Sequence, residues 1–447
     1  MNAGAKIAAA VLAVFVLALI GAGPALSDQE ALTLERAVAL ALENNDAVKM
    51  SRERISEAEA QRAQIRSGFL PRLGAQAGYT YISEAPHVEI SVDTPLGEMG
   101  KTVDLGFNDN YLAKIELTQP LFLGGRVYYG YKAAVGEIEA REAEEKQAVN
   151  DLIRDVARAY YGVLFSREFL AAAREMHQNA EAHLVNVENG YREGTASRLE
   201  LLTARVQVSN LEPIVTQAEN ALQIARTALY ILVNVEGEPP VVGKLALEPE
   251  TITEQDAIEE AYVSRPEFAM LDLRRDALED LVRSTRAGYL PSVFAGAAYQ
   301  YQKPYFADNQ WYDYWTVTAG IKIPLFEGLE TSGKTDQVRS QMRQIELARE
   351  QAADGIRLEI RSAILTLKEA MDRAKAQSNN VEVAEEALAM AEVGYREGVS
   401  TNLDVMDVQM KLLTAKTNYL AAVHDALLAR NDLHRAMGRF ALKGGVR

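Results

Sequence analysis

Asp404 and Asp407 stand three residues apart, and Glu200 and Asp404 each follow a hydroxyl side chain, Ser197 or Thr401, by three. An i, i+3 pair shares one helix face, so the two aspartates concentrate negative charge on it. The same stretches, Ser197-Arg198-Leu199-Glu200 and Thr401-Asn402-Leu403-Asp404, also read as capping boxes, which satisfy the free amides of a helix start. Capping accounts for Glu200 and Asp404 at least as well as any other role. Asp407, one turn further on, has no capping work to do. The five histidines offer little chemistry: His177 and His183 are six apart, which separates them on a helix, His87 lies in a loop composition, and His424 and His434 are ten apart. Packing or solvent contact suits them better than metal ligation. Cysteine is absent, which excludes disulfides, thiolate metal sites and a cysteine nucleophile. No Ser-His-Asp set, paired acids or metal-ligand spacing supports an enzyme, a cofactor or a metal.

The elements that carry these residues occur twice. Gly190-Tyr191-Arg192-Glu193-Gly194 recurs as Gly394-Tyr395-Arg396-Glu397-Gly398, an offset of 204 that Pro120-Leu121-Phe122 and Pro324-Leu325-Phe326 share. Gly68-Phe69-Leu70-Pro71 and Gly288-Tyr289-Leu290-Pro291 are offset by 220, so the first half holds 16 more residues between Pro71 and Pro120. An unequal insertion between fixed lengths marks a surface loop. Internal repetition decides the architecture before any local assignment.

The expected order in each half is strand, strand, helix, helix. Residues 28–240 form the first repeat, with strands near 71–90 and 107–120 and long helices near 127–189 and 197–235. Residues 241–447 form the second, with strands near 291–302 and 311–324 and helices near 335–393 and 402–438. The halves are expected to intertwine as one body. A helix over Leu32 to Arg66 breaks at Asn44-Asn45-Asp46, another starts near Glu254 and is interrupted at Pro266, and residues 82–110 have the glycine and proline content of a loop. Val338, Met342, Ile345, Ala348, Ala352, Ile356, Ile360, Ala363, Leu367, Met371 and Ala374 are spaced by threes and fours, a coiled-coil seam. Leu73, Ala75, Ala77, Tyr79 and Tyr81, and then Tyr111, Ala113, Ile115 and Leu117, alternate as strands do. Tyr299, Tyr301, Trp311 and Trp315 cluster in the last strand pair and resemble the aromatic girdle of a transmembrane β-barrel. Four strands cannot close a barrel and an open edge is not tolerated in lipid; three chains would supply twelve.

Composition limits the rest. Lys+Arg 47 against Asp+Glu 63 gives −16, which argues against nucleic acid, whose binding rests on clustered cations. Residues 1–27 read as a cleaved signal peptide: Met1 and Lys6 for charge, an apolar core from Ile7 to Ile20, and a small-x-small site at Ala25-Leu26-Ser27.

Duplicated order, long prolineless helices and the two Gly-Tyr-x-x-Gly blocks together resemble the TolC-like outer membrane efflux protein family, over Leu32 to about Phe440. The resemblance implies a mostly α chain with a small transmembrane β part, a coiled-coil α-barrel, and four strands per chain in a trimeric 12-stranded barrel set in outer membrane lipid. It implies a passive exit duct of a tripartite efflux pump or type I secretion system, located in the cell outer membrane and extending into the periplasm. A periplasmic adaptor and an inner-membrane pump are its implied partners. Gly190, Tyr191, Gly194, Thr195, Gly394, Tyr395, Gly398 and Val399 match the family's periplasmic tip turns, where adaptors bind. Glu200, Asp404, Asp407 and Tyr395 match the charged and aromatic positions that line or latch the tip. Ser400 stands where many relatives have an arginine, so closure must use other contacts. A periplasmic adaptor or a structural coiled coil stays open as an alternative, disfavoured by two equal hairpins alternating with aromatic strand pairs.

Overall fold

The computed structural model describes residues 31–439 except 96, 105, 236, 248–251 and 306–307. The signal-peptide segment 1–27 lies outside the described residues. Among the described residues, eight helices follow in chain order: α1 Leu34–Asn44, α2 Asp46–Arg66, α3 Arg126–Glu193, α4 Arg198–Val233, α5 Glu254–Ser264, α6 Pro266–Arg286, α7 Glu330–Arg396 and α8 Asn402–Ala436. Six strands join them: β1 Arg72–Tyr81, β2 His87–Thr94, β3 Gly97–Asp104, β4 Asp109–Leu123, β5 Ser292–Lys303 and β6 Tyr312–Lys322. At 1.5 Å per residue, the 68 residues of α3 extend roughly 100 Å.

Local chemistry explains the boundaries. Thr33 caps α1, accepting from the Arg36 amide at 3.3 Å. Asn45 then leaves the helix and its side chain accepts from the Ala47 amide at 2.8 Å, starting α2. Pro266 is the first residue of α6, where its missing N–H costs nothing. Both α2 and α6 run into a short 3₁₀ turn, Ser67–Phe69 and Ala287–Tyr289, and then an extended Leu70 or Leu290. The proline that follows each leucine disfavours the helical region at the residue before it.

The chain divides into two compact units, each drawing on both halves of the sequence: one from the N-terminal residues through Met50 with Lys146–Arg265 and Asp354 onward, the other from Ser51–Glu145 and Pro266–Ala353. In the helical unit, Val38, Val156, Leu164, Leu229 and Val233 are buried together, and Met176, Leu211, Val405 and Leu412 form a second core. Lys416 of α8 joins Glu175 of α3 at 3.0 Å and Glu385 of α7 at 3.2 Å, binding three helices at one level. On α7, Val338, Ile356, Ile360, Ala363, Leu367 and Ala374 are buried and Met342, Ile345, Ala348, Ala352 and Met371 are half-buried, the seam that the spacing predicts. The opposite side of α7 carries apolar residues too: Leu358, Leu365, Val383 and Met390 are exposed.

The other unit holds a four-stranded antiparallel sheet in the order β1-β4-β5-β6. Register pairs Leu73 with Leu117, Ala75 with Ile115, Ala77 with Ala113 and Tyr79 with Tyr111. It pairs Ile115 with Tyr299 and Tyr299 with Trp315 in turn. Paired residues share a side, so one face carries these aliphatic and aromatic groups. The other carries Gln76, Thr80, Lys114, Glu116, Gln300 and Thr318, with Lys114 and Glu116 paired at 2.7 Å.

Two expectations need correction. The 82–110 stretch is not loop throughout: β2 and β3 pair as a separate hairpin from His87–Asp104 to Thr94–Gly97, so the described chain has six strands, four of them in the main sheet. Glycine-rich composition hid this hairpin because its ladder rests on backbone bonds, which glycine can make. Trp311 lies just before β6 and not within it, its ring stacked on Tyr301 at 4.6 Å.

Candidate functional site

The turns between α3 and α4 and between α7 and α8 are built alike. Gly194 has φ +79° and Gly398 φ +76°. The Thr195 amide donates to the Gly190 carbonyl at 2.8 Å and the Gly194 amide to Tyr191 at 3.2 Å; Val399 to Gly394 at 2.8 Å and Gly398 to Tyr395 at 3.1 Å repeat the pattern. This is a Schellman motif, which satisfies the last carbonyls of a helix through one left-handed residue. The four glycines divide the labour. Gly194 and Gly398 supply positive φ. Gly190 and Gly394 are helical and supply close approach: a Cβ at Gly190 would stand 3.1 Å from Thr195 Oγ1 and 3.2 Å from Ala196 Cβ, and one at Gly394 would overlap Ser400 Oγ.

Both capping boxes form. Ser197 Oγ accepts from the Glu200 amide at 3.2 Å while the Ser197 amide donates to Glu200 Oε2 at 2.6 Å. Thr401 and Asp404 repeat this at 3.2 and 2.8 Å, and the Thr401 hydroxyl also donates to Asp404 Oδ2 at 2.7 Å. Hydrogen bonds from the Thr401 hydroxyl and amide hold the exposed Asp404 carboxyl below its ordinary range. Asp407 is exposed and paired with Lys411 at 2.6 Å, so its charge is answered one turn along its own helix. Around the turns Val399 and Leu403 are open to solvent, as is Leu199, the counterpart of Leu403. Thr195 and Tyr191 are exposed as well.

Tyr395 turns inward. Burial raises its hydroxyl pKa, with the Glu200 charge adding to the effect, and its ring meets His183 edge-on at 4.9 Å. His183 is buried, with Nε2 donating to Asn402 Oδ1 at 2.7 Å. Asn402 Nδ2 donates in turn to Thr203 Oγ1 at 2.9 Å and the Glu200 carbonyl at 3.3 Å. Since Nδ2 is the donor there, Oδ1 faces His183 and the proton sits on Nε2. This clasp ties α3 and α4 of the first half to α8 of the second. Sequence reasoning passed over it, treating His183 as packing and Asn402 as part of a cap. The available signal was asymmetry: the positions 204 away are Ala387 and Arg198, so a buried polar pair stands in one copy of the repeat alone.

The aromatic residues lie in the sheet unit. Tyr79 meets Tyr111 at 5.0 Å and Tyr111 meets Trp311 at 5.6 Å. Tyr79 donates to Asp109 at 2.7 Å, and its repeat counterpart Tyr299 donates to Asp313 at 3.0 Å. Among the described residues no group of three or more His, Cys, Asp or Glu could hold a metal, and no helix is long and apolar enough to cross a membrane.

Comparison with known proteins agrees with this geometry. Residues 37–235 and 257–439 match the family model described as outer membrane efflux protein. The chain is 22% identical to the alkaline protease secretion protein AprF of Pseudomonas aeruginosa, over 90% of this chain and 83% of that one. It is 25% identical to the pyoverdine export outer membrane protein OpmQ of the same species, over 89% and 83%. The crystal structure of the Campylobacter jejuni CmeC outer membrane channel superposes with a TM-score of 0.73 at 17% identity, covering 91% of this chain and 85% of that one.

Proposed function

The chain belongs to the outer membrane efflux protein family and is an outer membrane exit channel; from that premise we propose that it works as a homotrimeric, passive duct whose hairpin turns receive a periplasmic adaptor coupled to an inner-membrane pump. The observation that carries the trimer is the open sheet. Its edges, β1 and β6, have no neighbour among the described strands, and one of its faces is apolar. In hydrocarbon every backbone N–H and C=O needs a partner, which for strands means closure. Three antiparallel steps leave β1 and β6 running in opposite directions, so β6 of one copy continues the alternation with β1 of the next. Three copies give twelve strands, within the size range of such barrels. Exposed heptad pairs support the same reading along the helices: Ile224 and Ile231 on α4, Val383 and Met390 on α7 are apolar stripes that a neighbouring helix would cover.

The turn residues 190–195 and 394–399, with Leu199 and Leu403 beside them, form the adaptor surface in this reading. Glu200, Asp404, Asp407 and Tyr395 line the nearby pore. Glu200, Asp404 and Asp407 with Lys411 leave two net negative charges per copy and six around the axis, an attraction for cations. Relatives named for an alkaline protease and for pyoverdine align with this chain over most of their length, which supports selection of cargo at the pump. Purified protein in a planar bilayer is expected to give discrete ion-conducting steps; a protein that inserts without conducting would overturn the duct.

A further inference from the structure

The duplication extends to the hydrogen-bond register. Shifting β1 by 220 and β4 by 204 turns the observed pair Leu73–Leu117 into Val293–Ile321, and Tyr79–Tyr111 into Tyr299–Trp315, both of which are also observed. The hydrogen bonds from Tyr79 to Asp109 and from Tyr299 to Asp313 repeat under the same shifts. One junction, β4 with β5, joins the second strand of one repeat to the first strand of the other. Its counterpart, β6 with β1, does not exist within a single chain.

The chain bears the mark of that missing partner. β4 continues through a bulge at Pro120/Phe122 to Leu123, where β5 covers it. β6 is followed by the same Pro-Leu-Phe yet ends at Lys322. Leu325 and Phe326 are 93% and 81% exposed, against 61% and 50% for Leu121 and Phe122. Equal sequences with unequal strand length point to the neighbour as the cause, since a strand needs a ladder to persist.

Building on the trimeric reading, we propose that β6 of one copy pairs with β1 of the next in the register that β4 and β5 adopt within the chain. Carrying the observed pairs Leu117–Ala297, Ile115–Tyr299, Lys114–Gln300 and Leu123–Ser292 through the repeat shifts sets Ile321 opposite Ala77, Ala319 opposite Tyr79, Thr318 opposite Thr80, and Glu327 opposite Arg72 of the neighbouring copy. Apolar residues then meet on one face and Thr318 and Thr80 on the other. Arg72 and Glu327, both exposed in the single chain, become a cross-copy ion pair next to the bulge. A one-residue slip would send every apolar side chain to the polar face, and a two-residue slip would remove Arg72 from Glu327.

The absence of native cysteine makes disulfide trapping direct. Ala77→Cys with Ile321→Cys, and Thr80→Cys with Thr318→Cys, sample both kinds of antiparallel pair. After mild oxidation in membranes, denaturing gels are expected to show covalent dimers and trimers for these. Pairs displaced by two residues, Ala75→Cys with Ile321→Cys and Thr80→Cys with Thr316→Cys, are expected to stay largely monomeric. Stronger trapping of the displaced pairs, or no trapping from protein of trimeric mass, overturns the register and leaves the trimer standing. Monomeric mass in detergent with no trapping overturns both. As an independent check, Arg72→Glu and Glu327→Arg should each lower the temperature at which the trimer dissociates and the double swap should restore it; a double swap no better than the singles overturns the ion pair.

Discussion

Gly194 and Gly398 hold left-handed backbone in open space, where an added Cβ would touch nothing. A side chain there therefore costs backbone strain alone, about 1–2 kcal/mol. Gly194→Val and Gly398→Val are expected to lose about that much stability in thermal or denaturant unfolding and to impair export while trimers still form; normal export would count against the turns as the docking surface. The His183–Asn402 clasp behaves differently, because removing His183 leaves Asn402 Oδ1 buried without its donor, at about 1–3 kcal/mol. Burial pushes the His183 imidazole below its ordinary range, opposed by the Asn402 hydrogen bond and the Glu392 charge. The neutral ring is thus the native form, while the unfolded chain takes up a proton near the usual value of about 6.5. The clasp's stabilisation is complete above that value and declines as pH falls toward the depressed native one. Between about pH 7.5 and 5.5 the wild type should lose more thermal stability than His183→Gln; equal losses would assign the acid sensitivity elsewhere.

At the scale of elements, the capping boxes are local enough to test singly. Ser197→Ala removes the acceptor for the Glu200 amide and is expected to cost about 1 kcal/mol, seen as a lowered unfolding midpoint with the helix content unchanged. Such features were legible in the sequence because each depends on neighbours within a few residues: the two capping boxes, the break at Asn45, the interruption at Pro266, the seam of α7 and the alternation of β1 and β4. What depends on distant partners was not. The β2–β3 hairpin carries loop-forming residues and is held by its own ladder. The pairing of Asp407 with Lys411 needed only helical spacing and was overlooked, as was the exposed apolar stripe of α7. The clasp of His183 with Asn402 joins residues 219 apart, which no local pattern announces. In the candidate site, the glycines and carboxylates were found from the repeat, whereas the division of work among the four glycines emerged only from backbone angles and neighbouring atoms.

For the whole molecule, duplication supplies two equivalent hairpins and two strand pairs, and the sheet they make is unfinished: four strands, one apolar face and two open edges. A duct follows only if identical copies complete it. The absence of cysteine suits a body held by packing alone. Light scattering of detergent-extracted protein, taken after separating outer membranes from inner membranes and soluble periplasm, tests this most directly. The account predicts a particle of three chains from the outer-membrane fraction; a single soluble chain, or extraction from the inner membrane, would contradict it.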